Sequence, residues 1–246
     1  MSNIFIMIPA RMESSRFPKK PLAKILNKEL IIRVLERCKG KYNLYAVVNS
    51  KEISYIVEKN GYQSILIKEE CQTGTDRIYY AAKKLNLKDE DLIINVQGDE
   101  PLVDFSMIQK VIEKKIEFPE KVVNASSSIN SIDELTSKSV IKMAINKFSD
   151  LIFASRSPIP TNKGEISLNN TIKQTCIYAF TYAQLRTFFN TERGVLEKSE
   201  DIEILRFTEN KLFEVAIVNL GKNNLHAVDY PEDIEIVEKL LKINEI

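Results

Sequence analysis

Short apolar runs and stretches of helical spacing take turns along the first half of the chain. Residues 3–8 form an unbroken apolar run after Asn3, which predicts a strand buried on both faces and bounded by Pro9. Residues 28–39 carry Leu30, Ile31, Val34 and Leu35 at helical spacing. The same reading predicts strands over 43–48, 64–68 and 91–96, and helices over 51–59, 75–85 and 105–116. Four rounds of strand and helix argue for βαβ units and a parallel sheet covered on both faces. Ligands of such sheets bind beyond the carboxyl ends of the strands, so the polar loops 9–21 and 97–101 are the candidates for chemistry.

The second half is less regular. Strands are predicted over 122–128, 139–145, 151–155, 174–181 and 212–219, and helices over 182–190, 199–209 and 231–243, the last with Pro231 in its first turn. No Gly-, Ser- or Pro-rich linker is visible. The expectation is one domain over 1–246, with a strand-rich elaboration between roughly 130 and 220 that serves dimerisation or substrate binding.

Composition narrows the function. The 35 Lys and Arg nearly balance 34 Asp and Glu, so nothing marks a nucleic-acid binder. No apolar run approaches the roughly 18 residues that span a bilayer, and no signal peptide is visible, so a cytoplasmic protein is expected. Three scattered Cys and the single His226 make neither a disulfide framework nor a usual zinc site. Any metal should be a hard cation on carboxylates.

Four constellations carry the chemistry. The first is Pro9-Ala-Arg-Met-Glu-Ser-Ser-Arg-Phe-Pro-Lys-Lys-Pro-Leu22, whose cations and hydroxyls suit a polyphosphate although no Walker A or dinucleotide glycine pattern is present. An isolated charge run is usually a solvated loop, but three Pro stiffen this one. In Gln72-Thr-Gly-Thr-Asp-Arg77, Thr75 is a candidate helix cap and Gly74 admits close backbone approach. That segment is as readily a plain capped helix start. Asn95-Val-Gln-Gly-Asp-Glu-Pro101 ends a buried strand with two carboxylates, placing Asp99 to hold Mg²⁺ unless this is only a turn. His226-Ala-Val-Asp-Tyr-Pro-Glu-Asp233 offers Asp229 as a second metal carboxylate or as a helix cap.

In this order the motifs resemble the CMP-Kdo synthetase family, the 3-deoxy-manno-octulosonate cytidylyltransferases, over nearly the whole chain. Ser155-Arg156-Ser157-Pro-Ile-Pro160, Ile177-Tyr178 and Leu196-Glu-Lys-Ser-Glu-Asp-Ile-Glu-Ile-Leu-Arg206 join the resemblance. It implies a Rossmann-like nucleotidyltransferase fold and a homodimer. It implies CTP held by Arg11, Ser14, Arg16 and Lys20, with Gln72, Gly74 and Arg77 near the nucleotide. Asp99 and Asp229 would bind Mg²⁺, and Lys20, Arg11 and Asp99 would carry catalysis. A 3-deoxy-ulosonic sugar acid would lie against Gln97, Arg156, Lys163, Gln174, Tyr178 and Glu203. Its anomeric hydroxyl would attack the α-phosphorus of CTP, feeding lipopolysaccharide or capsule synthesis.

The chain departs from the family pattern at five places. Lys19 stands for a Gly, Asn49 for an Asp, Gln174 for a His, Lys163 for an Arg and Ile204 for a Gln. Most of these fall among the sugar-side residues, so the acceptor is Kdo, its 8-amino analogue or another 3-deoxy-ulosonic acid. Two other readings compete: a nucleotidyltransferase of the same architecture that uses another base or a sugar 1-phosphate, and a silent nucleotide-binding relative. The first lacks a Gly-rich first loop, and the second gives no reason to keep Asp99 and Asp229 beside Arg11 and Lys20.

Overall fold

The apolar runs become strands close to where their spacing places them. In chain order the computed structural model shows β1 (Ile4–Ala10), β2 (Lys24–Ile25), β3 (Lys28–Glu29), α1 (Leu30–Cys38), β4 (Asn43–Val48), α2 (Lys51–Lys59), β5 (Gln63–Leu66), α3 (Gly74–Lys84), β6 (Leu92–Val96) and α4 (Phe105–Glu117). There follow β7 (Val122–Ser128), α5 (Ile132–Thr136), β8 (Lys142–Ile145), β9 (Leu151–Ser155), β10 (Ile172–Thr181), α6 (Tyr182–Phe189), α7 (Val195–Glu200), α8 (Leu205–Glu209), β11 (Val215–Asn219) and α9 (Asp233–Asn244). The structure describes residues 2–161, 163, 168 and 170–244. Its contacts cluster in two compact units, Met1–Gln109 with Asn224–Ile246, and Lys110–Asn223. The segment 130–220 lies within the second.

In the first unit β6, β1, β4 and β5 lie side by side, all parallel. Ile6, Met7, Ile8, Ile93 and Ile94 are fully buried, as continuous apolar runs in a covered parallel sheet should be. α1 buries Leu30, Ile31, Val34, Leu35 and Cys38, one face of a helix. Each such side chain contributes about 1.5–3 kcal/mol on burial. β1 does not stop before Pro9 as expected but runs through it, with Pro9 opposite Val47. Its pairing with β6 ends at Met7, so the missing N–H costs no ladder bond on that side.

The second unit is mixed. β11 runs parallel to β7, β7 pairs antiparallel with β10, β10 with β8, and β8 with β9. Phe180, Phe188 and Phe207 pack together on it, with 4.8 Å between the last two ring centroids. The single helix predicted over 199–209 is two helices here. Asp201 adopts φ 51 between them, a left-handed turn that a continuous helix cannot contain. The hairpin of β2 and β3 and the short α5 were not foreseen, because two- and five-residue elements are too short to show a period. Among the described residues no helix is long and apolar enough to cross a membrane.

Two buried lysines fasten the second unit. Lys115 Nζ donates to the carbonyls of Pro119 and Lys121 and to Gln184 Oε1, at 2.6, 2.5 and 2.9 Å. Lys142 Nζ donates to the carbonyls of Ser137, Val140 and Arg156. Burial pushes each ammonium down to about 8 from 10.5. Below pH 8 both folded and unfolded chains hold these protons. Between about 8 and 10.5 the unfolded chain binds them more tightly, so their share of stability rises as pH is raised through that window. Urea unfolding at pH 8 and pH 10 should show wild type gaining stability relative to Lys115→Met, and an unchanged difference would refute the depressed ammonium.

Candidate active site

The first loop leaves β1 at Ala10 and is folded by its own backbone. Lys19 N–H donates to the Met12 carbonyl at 3.1 Å and Lys20 N–H to Phe17 at 3.2 Å. Ser14 Oγ accepts from Phe17 N–H at 3.2 Å. Lys19 sits at φ 57, a left-handed position that favours glycine, which accounts for the Gly expected there. Asn49, at the end of β4, accepts from Met12 N–H at 3.1 Å and donates to Glu13 Oε2 at 2.5 Å. Glu13's own backbone N–H and then this amide hold its carboxyl below the usual range.

The fold brings four of the predicted side chains together at the carboxyl ends of β1 and β6. Lys20 Nζ donates to Asp99 Oδ2 at 2.6 Å and stands 3.9 Å from Asp229 Oδ1. Arg16 Nη2 donates to Asp229 Oδ1 at 2.7 Å, and its guanidinium lies 5.4 Å from the Tyr230 ring centroid. Lys20, Asp99 and Asp229 are largely shielded, while Arg16 is half exposed. Burial pushes the Asp229 carboxyl up, the Asp99 charge adds to this, and Lys20 and Arg16 pull it back. Two carboxylates thus crowd one place. Among the described residues no group of three or more His, Cys, Asp or Glu is placed to hold a metal. The donor set is a carboxylate pair, which suits a hard cation that takes its other ligands from phosphate and water.

Asp229 is not a helix cap. The motif's last residue, Asp233, opens α9 and reaches back, its Oδ2 accepting from the N–H groups of Asp229 and Tyr230 at 2.8 and 2.7 Å, while Pro231 precedes the helix instead of standing in its first turn. Asp233 Oδ1 meets His226 Nε2 at 2.9 Å. Burial alone would raise the Asp233 carboxyl, but the bonds from His226, Tyr230 and Asp229 hold it below the usual range. Val228 N–H donates to the Asp99 carbonyl at 2.9 Å, tying the two carboxylate-bearing loops to each other. Sequence reasoning passed over Asp233 and His226, although both lie in the segment it quoted.

Glycines set the remaining approach. A methyl on Gly98 would lie 2.7 Å from the Pro9 carbonyl, so this glycine is required by proximity and not by a positive φ. A methyl on Gly74 would come within 3.3 Å of the Gln97 amide and of Pro9, placing the second motif against both others. Thr73, not Thr75, caps α3, in a capping box with Asp76. Thr75 is buried instead, its hydroxyl accepting from Asn95 Nδ2 at 3.2 Å. Arg77 is buried with Nη1 lacking a partner among the described residues, and burial lowers its pKa. Arg11 and Gln72 are exposed.

The predicted sugar-side residues other than Gln97 all lie in the second unit. Gln174 and Tyr178 are buried on β10. Arg156 is anchored, donating to the carbonyls of Glu200, Lys138 and Asp201 at 2.6, 2.8 and 3.0 Å. Glu203 is partly exposed just before α8, and Lys163 is exposed.

A parallel α/β sheet with a basic loop and a carboxylate pair at its carboxyl edge is the architecture of a nucleotidyltransferase. The chain belongs to the cytidylyltransferase family, whose model matches residues 5–218. A 3-deoxy-manno-octulosonate cytidylyltransferase of Francisella tularensis subsp. holarctica is 34% identical over 251 residues, covering 99% of this chain and 100% of the relative. An 8-amino-3,8-dideoxy-manno-octulosonate cytidylyltransferase of Shewanella sp. (strain W3-18-1) is 36% identical over 244 residues, covering 97% and 98%. A solved CMP:2-keto-3-deoxy-manno-octonic acid synthetase complexed with CTP superposes with a TM-score of 0.88 at 27% identity, covering 99% of this chain and 100% of that one.

Replacing Asp233 by Ala leaves two N–H groups and His226 without their acceptor. Asp233→Ala should lower the unfolding free energy by about 1–2 kcal/mol, read from urea titration. A loss under a few tenths would mean that the 226–233 loop is held by something else.

Proposed function

We propose that this enzyme transfers the cytidylyl group of CTP to the anomeric hydroxyl of a 3-deoxy-ulosonic acid. The first acceptor is 3-deoxy-manno-octulosonate, the second its 8-amino analogue. The observation that carries the reading is the cluster of Lys20, Asp99 and Asp229. Chain-long similarity to enzymes named for both sugars supports it.

The first unit would hold the nucleotide. Arg11, Ser14, Arg16 and Lys20 would meet the triphosphate, and Gln72, Gly74 and Arg77 the base and ribose. Arg77 Nη1 is a buried donor suited to such a ligand. Asp99 and Asp229 would hold Mg²⁺, which supplies charge neutralisation on the phosphates when bound. Gln97, Arg156, Lys163, Gln174, Tyr178 and Glu203 are the residues that the resemblance assigns to the sugar acid. The anomeric oxygen forms a bond to the α-phosphorus, the bond from that phosphorus to the β-phosphate's bridging oxygen breaks, and pyrophosphate leaves. The hydroxyl proton passes to solvent. Lys20 would offset charge on the transferring phosphate, so catalysis is mostly positioning and electrostatics. The reading carries with it a cytoplasmic homodimer that supplies activated sugar for lipopolysaccharide or capsule synthesis.

Pyrophosphate release with CTP and Mg²⁺ should require one of the two sugars. Asp99→Ala should reduce it by roughly 10²-fold or more with unfolding unchanged. Equal release without sugar would reject the acceptor, and full activity in Asp99→Ala would reject the metal assignment.

A further inference from the structure

β7 and β10 pair with Gln174 opposite Ser126 and Tyr178 opposite Asn124, the register slipping between Thr175 and Tyr178. Residues that face each other across a pair share a face of the sheet, as do residues two apart on a strand. Gln174, Tyr178, Asn124 and Ser126 therefore lie on one face. Asn124 is wholly buried. Its Nδ2 donates to the carbonyls of Thr175 and Ile177, at 3.0 and 2.9 Å, where the register slips. Two carbonyls on one end of the amide fix which end is nitrogen. Oδ1 must then face Gln174, and it accepts from Gln174 Nε2 at 2.9 Å.

With Nε2 held at Asn124 Oδ1, the end of the amide that stands open is Oε1. That oxygen is buried without a partner among the described residues, on a side chain 8% exposed. Ser126 Oγ, its register neighbour, is in the same condition. A hydroxyl can turn toward a nearby carbonyl, but an amide oxygen shut away without a donor is a standing cost to the fold.

We propose that Asn124 is a positioning residue that fixes Gln174 as a hydrogen-bond acceptor, so that the sugar acid must present a hydroxyl or ammonium donor to Gln174 Oε1. The inference rests on the proposed function, which puts the sugar against Gln174. It sharpens that reading. A neutral His in this place that donated to Asn124 through one ring nitrogen would likewise leave the other as an acceptor. Gln174 turned by Asn124 presents its Oε1, and a carboxylate or keto oxygen opposite that atom would be rejected.

Steady-state kinetics on the full chain with CTP and each of the two sugars tests this. Gln174→Met should raise the sugar KM by roughly 10-fold, with the KM for CTP unchanged. Gln174→His should recover most of that loss, since one ring nitrogen can donate to Asn124 and the other accept. Asn124→Ala should raise the sugar KM, and Gln174→Met should add nothing further in that background. A penalty confined to the 8-amino sugar identifies the donor as the ammonium, and an equal penalty on both identifies a shared hydroxyl. An unchanged sugar KM in Gln174→Met means that solvent satisfies Oε1, and it overturns the inference. Additive effects of the two substitutions reduce Asn124 to a structural part and overturn its positioning role. If Asn124→Ala does not fold, the two Gln174 variants decide alone. Wild type that turns over a sugar while the Gln174 variants stay flat sinks this inference only. Wild type that releases no pyrophosphate with either sugar sinks the proposed function, and this inference with it.

Discussion

Two carboxylates held at one ammonium are the constraint that the first unit answers to. Asp99 and Asp229 come from loops 130 positions apart in sequence, and their like charges oppose the meeting. Lys20 offsets part of that repulsion, and Arg16 offsets part of the rest at Asp229. At the shielded Lys20–Asp99 pair the term is on the order of a few kcal/mol, and at the half-exposed Arg16 it is about 0–1 kcal/mol. Side-chain attraction alone would let the pair drift apart, so the backbone is recruited as well. Val228 N–H reaches the Asp99 carbonyl, and Asp233 gathers the N–H groups of Asp229 and Tyr230. Gly98 lets β6's exit turn lie against Pro9 at the end of β1, a distance that no other residue tolerates. The buried apolar runs of β1 and β6 give these loops a fixed base.

Much of this was legible in the residue pattern because long elements repeat their signal. β4, α2 and β7 occupy the very spans that the sequence pattern predicts, each being six residues or longer. The failures are places where a local event decides. A left-handed Asp201 breaks a helix that periodicity reads as continuous. Pro9 is tolerated inside a strand only because a neighbour's pairing has already ended. Thr73 outcompetes Thr75 as a cap because Asp76 stands three residues after Thr73 and completes the reciprocal box.

The site divides along the same line. Lys20, Arg16, Asp99 and Asp229 could be named because cations and carboxylates in rigid loops announce themselves by type. Asp233 and Asn124 could not, because each acts on backbone groups or on another side chain, and Asn49 showed only as a departure whose role the sequence did not give. Asn124, one Ala before three Ser in a strand, is visible in the sequence, but its partners are carbonyls at a register slip. No spacing rule reports that slip. Arg156 shows the converse. A residue singled out by type spends much of its guanidinium on three backbone carbonyls, so it shapes the segment around Glu200 and Asp201 as well as offering charge.

The departures from the family pattern then read as exchanges with local consequences. Lys19 occupies a left-handed turn that a glycine would take with less strain, and its exposed contact with Glu52 at 3.8 Å returns little. Asn49 is different, because an amide both accepts from Met12 and donates to Glu13, while an Asp there could only accept and would repel that carboxylate. Asn49 and Glu13 are thus matched to each other, and the first loop keeps its shape through a pair that neither residue could supply alone.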